Sequence, residues 1–100
     1  MTKAYVIADI EVTDPDAYED YKRLSTQAAE LYGARFLVRG GTYRVAEGGA
    51  RARNVVIEFP SYQAALDCYN SPEYQANIKL RQAHAVADII VIEGYDGPQP

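Results

Sequence analysis

The stretch Asn54-Val55-Val56-Ile57-Glu58-Phe59-Pro60-Ser61-Tyr62-Gln63-Ala64-Ala65-Leu66 constrains the fold more than any other. It opens as an apolar, β-branched run, stops at Pro60, and resumes with helical spacing after Ser61. A strand that feeds a helix through so short a stop belongs to a mixed α and β fold. Strand alternation turns Val55, Ile57 and Phe59 to one side and Asn54, Val56 and Glu58 to the other.

The chain on either side extends this pattern. Ala4–Val12 alternates as a first strand, with Val6, Ala8, Ile10 and Val12 on one side and Tyr5, Ile7, Asp9 and Glu11 on the other. Asp14 then caps a helix that opens on Pro15 and runs to about Tyr32, its apolar stripe made by Tyr18, Tyr21, Leu24, Ala28 and Leu31. Gly33 is its stop. Arg35–Arg39 reads as a second strand, bent or bulged at Gly40-Gly41 and continued by Thr42–Ala46. After the loop Glu47-Gly48-Gly49-Ala50 comes the third strand, Arg53–Phe59. The helix that follows breaks at Asn70-Ser71-Pro72-Glu73 and restarts, running to about Val86. Ile89–Ile92 is a fourth strand, and 95–100 is read as a flexible tail after a single domain spanning 1–94. The order β-α-β-β-α-β predicts an α+β, ferredoxin-like fold, with both helices on one face of a four-stranded antiparallel sheet.

Composition narrows the function classes. One hundred residues make one domain. The net charge of −4 argues against nucleic acid, and no apolar run is long enough to span a membrane. The single cysteine, Cys68, fits a reducing cytoplasm, and no secretory leader is read at the start. Charge is uneven: residues 35–53 carry +4, leaving −8 elsewhere.

Two helices cover one face of such a sheet, so the other face should be polar. Tyr5, Ile7, Val56, Ile90 and Ile92 fall on it instead. Apolar area left in water costs about 25 cal/mol per Å², so a twofold homodimer packed sheet on sheet, a dimeric α/β barrel, is expected.

Candidate site residues follow from the same geometry. Asp9 and Glu58 share the second face on neighbouring strands and are read as lying close, with Arg35, Arg39 or Arg44 as partner; the alternative is an ion pair or a dimer-fixing network. In the enzymatic reading Arg39 holds a small anionic organic molecule, Asp9 or Glu58 is general base, and Tyr43, Tyr74 or His84 orients the ligand. Tyr18 and Tyr21 line the pocket with Tyr74. The rival reading is a non-catalytic dimeric module that binds a metabolite or a protein. No histidine or cysteine pair has metal-ligand spacing, so no metal is expected, and the sequence names no cofactor, which stays unknown. Ser61 reads as a helix cap, and Cys68 beside Asp67 is a poor nucleophile.

Several short motifs occur together: Tyr5-Val6-Ile7-Ala8, Thr13-Asp14-Pro15, Val38-Arg39-Gly40-Gly41, Val56-Ile57-Glu58-Phe59-Pro60-Ser61, Tyr69-Asn70-Ser71-Pro72-Glu73-Tyr74-Gln75, Arg81, and Ile90-Val91-Ile92-Glu93-Gly94. In this order, over residues 3–94, the chain resembles the domain of unknown function 1330 family. The resemblance implies a ferredoxin-like fold and a sheet-to-sheet homodimer within the dimeric α/β-barrel superfamily. It carries no settled activity and transfers no catalytic residues. Wider relatives include cofactor-independent monooxygenases, haem-degrading enzymes, chlorite dismutase-like proteins and small isomerases, which bind ligands between sheet and helices or inside the barrel. Haem degraders of this type use a tryptophan, which this chain lacks, and nothing else supports His84 as a haem ligand.

Overall fold

The structure is a computed structural model describing residues 2–100. The elements run β1 (Ala4–Val12), α1 (Pro15–Leu31), β2 (Arg35–Arg39), β3 (Arg53–Phe59), α2 (Tyr62–Asn70), α3 (Pro72–His84) and β4 (Ala85–Glu93). All strand pairs are antiparallel, in the order β2-β3-β1-β4. This is the expected ferredoxin-like sheet, with its second helix divided in two.

Each helix begins where its capping residue dictates. Asp14 accepts from the Ala17 amide at 3.2 Å, Ser61 from Ala64 at 3.0 Å, and Ser71 from Tyr74 at 3.1 Å. Ser71 also works in the other direction. Its Oγ donates to the Cys68 carbonyl at 2.6 Å, so one buried hydroxyl closes α2 and opens α3. Gly33, at φ +76°, ends α1 in the left-handed conformation expected there.

The helices lie on one face, and the core fills the gap between. Ala4, Ala8, Ile10, Val55 and Phe59 point up from the sheet against Tyr18, Tyr21, Ala65 and Cys68. The Cα envelope is only 16 Å in its thinnest direction, the depth of one sheet and one helix layer.

Two sequence expectations need correction. The second strand does not continue through Thr42–Ala46; it ends at Arg39, and the bulge lies earlier, between Phe36 and Val38. The reason is the partner: the last rung pairs Arg39 with Val55, and beyond Arg53 β3 offers nothing to bond. Gly40, at φ +68°, still donates to the Asn54 carbonyl at 2.9 Å before the chain leaves the sheet. The fourth strand is longer than Ile89–Ile92. It starts at Ala85, directly after His84, because β1 pairs with it from Val12↔Ala85 to Ala4↔Glu93. Just beyond β4 the Gly94 amide donates to the Lys3 carbonyl at 2.8 Å, and Thr2 bonds Asp96 of the 95–100 segment.

Candidate functional site: a tyrosine-lined cavity under the helices

A cavity of about 80 Å³ opens between the sheet and the three helices. Its floor is Ala8, Ile10, Val55, Ile57 and Ile89, which alternation on β1, β3 and β4 turns toward the helices. Its walls and roof are Tyr18 and Tyr21 from α1, Cys68 and Tyr69 from α2, and Tyr74 from α3. Lys22, Arg39 and Arg53 bring positive charge, and among the described residues no carboxylate lines the space.

The tyrosines form one cluster. Tyr18 and Tyr21 have ring centroids 5.2 Å apart, Tyr21 and Tyr74 meet edge to face at 6.3 Å, and Tyr69 and Tyr74 are 5.4 Å apart. The Tyr21 and Tyr74 hydroxyls are hydrogen-bonded at 2.6 Å. Burial pushes the Tyr18, Tyr21 and Tyr74 phenols above their ordinary range, opposed at Tyr18 chiefly by the charge and hydrogen bonding of Arg53, at Tyr74 by the Tyr21 hydroxyl, and at all three more weakly by Arg81. They are therefore neutral hydrogen-bonding groups and not bases. Burial also pushes the Cys68 thiol up to about 11, with Glu73 adding to the rise, which leaves it unreactive near neutrality.

The arginines divide the work. Arg39 stacks over the Phe36 ring at 4.2 Å and donates to Thr26 Oγ1 at 2.9 Å. Arg53 stands 6.0 Å from the Tyr18 ring centre, and its Nε is buried without an acceptor. Arg81 lies outside the lining but is only 7% exposed, again with a buried Nε that has no acceptor.

Of the residues expected at a ligand, Arg39, Tyr18, Tyr21 and Tyr74 do line this one cavity. Tyr43 does not: it is 51% exposed on the segment that leaves the sheet. Asp9 and Glu58 share the uncovered face but do not meet. The register sets Asp9 opposite Asn54 and Glu58 opposite Tyr5, four residues or about 13 Å apart along the strand. Their partners also differ from those expected: Arg51 donates its amide to Asp9 at 2.8 Å, and Lys3 pairs with Glu58 at 3.2 Å. His84 ends α3 and faces Asp14, Nδ1 to Oδ2 at 3.8 Å, while its carbonyl accepts from the Thr13 and Asp14 amides. It joins the end of α3 to the start of α1 and is absent from the cavity. Among the described residues no group of three His, Cys, Asp or Glu could hold a metal ion.

The uncovered face carries its own pattern. Val38, Val56, Ile7 and Ile90 form one cross-strand row, with Tyr5 and Ile92 beside it. Ile7 is 39% and Ile90 52% exposed. At the far end, Arg51 reaches from the loop after β2 to Asp88 at 3.1 Å and Glu11 at 3.4 Å as well as Asp9, gathering three carboxylates. No helix among the described residues is long and apolar enough to cross a membrane.

Comparison with known proteins agrees with this architecture. The family model for the domain of unknown function DUF1330 matches residues 3–95, and the chain belongs to that family. No curated protein matches. A solved protein of unknown function from Rhodopseudomonas palustris is 20% identical, with TM-score 0.75 over 96% of this chain and 85% of its own. SnoaB, a cofactor-independent oxygenase from Streptomyces nogalater, is 11% identical, with TM-score 0.66 over 100% and 97%. A dimeric ferredoxin-like protein of unknown function from Thermobifida fusca is 15% identical, with TM-score 0.58 over 93% and 90%.

Proposed function

We propose that this member of the DUF1330 family binds a small organic anion with an apolar body in the cavity between its sheet and its helices. One observation carries the reading: Arg53, its Nε buried without an acceptor, lines an otherwise apolar, tyrosine-edged space whose described lining holds no carboxylate, with exposed Arg39 and Lys22, itself paired with Glu19, at its edge. A buried guanidinium N–H without an acceptor is costly, and a bound anion relieves that cost.

The same groups limit what an enzyme could do here. Phenols held neutral can donate a hydrogen bond but do not take a proton. Any catalysis would work by stabilising negative charge that develops on the substrate. The fold shared with a cofactor-independent oxygenase supports assaying oxygen uptake beside binding. The competing reading is a binding module that releases its ligand unchanged.

The test is a thermal-shift screen of small carboxylic acids against their neutral amides, run beside Arg53→Gln. Acids should raise the melting temperature, amides should not, and the variant should lose the shift. Amides that stabilise as well as acids do would remove the anion from the reading. Product formation separates enzyme from module.

The assembly proposed with this site is a homodimer in which a second copy covers the apolar row of Val38, Val56, Ile7 and Ile90. The area left bare by a two-layer fold supports it, as does the dimeric ferredoxin-like neighbour.

A further inference from the structure

We propose that Arg39 is the gate of this cavity: its side chain spans the mouth between the end of β2 and α1, and release of its bond to Thr26 opens the way in. This rests on the cavity being the ligand site and adds the route by which that site fills.

Exposure locates the mouth. Among the described lining residues Arg39 alone is exposed; every other one is buried or half-buried. Phe36 and Arg39 bring β2 to the opening, and Lys22 and Ser25 bring α1. Arg39 pairs with Val55 across the ladder and so shares its helix-covered side, away from the face a second copy would cover.

The guanidinium reaches across this opening. Its Cζ stands 4.2 Å over the Phe36 ring on its own strand, and Nη2 donates to Thr26 Oγ1 on α1 at 2.9 Å. Thr26 is set to receive it. The hydroxyl gives its own proton to the Lys22 carbonyl at 2.7 Å, which leaves the oxygen free to accept.

The hold is weak. Among the described residues no carboxylate pairs with Arg39. One neutral acceptor and one ring face, both near solvent, restrain it. Arg51 is the contrast, tied to three carboxylates. A carboxylate makes a stronger, charge-assisted bond to a guanidinium than a threonine hydroxyl does. An anion at the mouth therefore draws Arg39 off Thr26 and moves inward toward Arg53, whereas a neutral molecule waits for the side chain to swing unaided.

The experiment uses xenon, which carries no charge and suits an apolar space of about 80 Å³, so it reads the gate apart from anion binding. Xenon NMR on the full chain gives the affinity and the rate of exchange with bulk solvent. Thr26→Val keeps the shape of the side chain and removes the acceptor. It should speed exchange roughly three- to tenfold, the weight of one neutral hydrogen bond. Affinity should stay as in the wild type, because Thr26 does not line the cavity. Thr26→Ser keeps the hydroxyl and should exchange at the wild-type rate. An unchanged rate in Thr26→Val, or equal acceleration in Thr26→Ser, overturns the gate and leaves the anion site to the acid screen. Faster exchange with an altered affinity marks a loosened helix and overturns the gate as well. A chain that takes up no xenon loses the cavity and the gate together. Acids that fail to raise the melting temperature remove the anion reading, while the xenon rates still decide the gate.

Discussion

Tyr21 and Tyr74 lie on α1 and α3, 53 residues apart in the chain, and meet hydroxyl to hydroxyl at 2.6 Å. This bond ties the two helices that roof the cavity. Removing either hydroxyl leaves the other buried without its partner, whereas removing both leaves two apolar rings of the same shape. Tyr21→Phe and Tyr74→Phe should therefore each cost about 1–2 kcal/mol. The double variant should cost less than the sum, with a coupling of about 1 kcal/mol. Urea denaturation of the four chains measures this, and additive losses would mean that the bond contributes nothing to stability.

Alkaline pH should loosen the same region in two stages. The Cys68 thiol moves from an ordinary value of 9.0 to about 11 in the folded chain. Between those values the folded state holds the proton that the unfolded state has lost, so stability present below pH 9 falls as pH rises toward 11. The buried phenols of Tyr18, Tyr21 and Tyr74 are raised from 10.0 and add a later loss of the same sign. Melting temperature followed against pH should decline from about pH 9, and Cys68→Ser should remove the earlier part of that decline. A flat profile to about pH 11 would contradict the thiol assignment.

The uncovered sheet face should decide the size of the particle. Ile7 and Ile90 are cross-strand partners, and both are exposed in one chain. Ile7→Lys or Ile90→Lys places a charge in the row that a second copy would cover, at little cost to the single chain. Light scattering should report twice 11.1 kDa for the wild type and 11.1 kDa for either variant, with unchanged circular dichroism. A wild type that runs as a single chain would exclude the dimer.

Gly40 offers a test of how Arg53 is held. An alanine there would adopt an unfavourable positive φ and press on Nη1 at 2.8 Å. Gly40→Ala should cost about 1–2 kcal/mol and weaken acid binding together with stability. Gly41→Ala, where a Cβ meets nothing within 4 Å, is the matched control and should bind normally. Equal behaviour of the two variants in calorimetry would separate Gly40 from the site.

Much of this was legible from residue pattern. The alternation in Ala4–Val12 and Arg53–Phe59 assigns their faces, and the helical stripe of Tyr18 and Tyr21 leads to the cavity. Asp9 and Glu58 show the limit. Alternation puts both on one face, but closeness depends on register, and register is a property of the ladder: Asn54, not Glu58, lies across from Asp9. Thr42–Ala46 has the composition of a strand and lacks only a neighbour, which no local pattern reports. Arg53 was there to be found, since it alternates with Val55, Ile57 and Phe59 onto the covered side. An arginine turned toward helices is itself a signal. Arg51 and Arg81 gave no such sign, because a loop position and a helix position acquire their surroundings only in three dimensions.

Ser71 has a consequence beyond its two bonds. With its one proton given to Cys68 and its oxygen accepting from Tyr74, it leaves α2 and α3 no independent ends at their junction. Fraying of either exposes the other. Hydrogen-exchange protection should thus be lost from both helices at a common free energy, and Cys68, Tyr69 and Tyr74 should swing clear together, a hatch on one hinge.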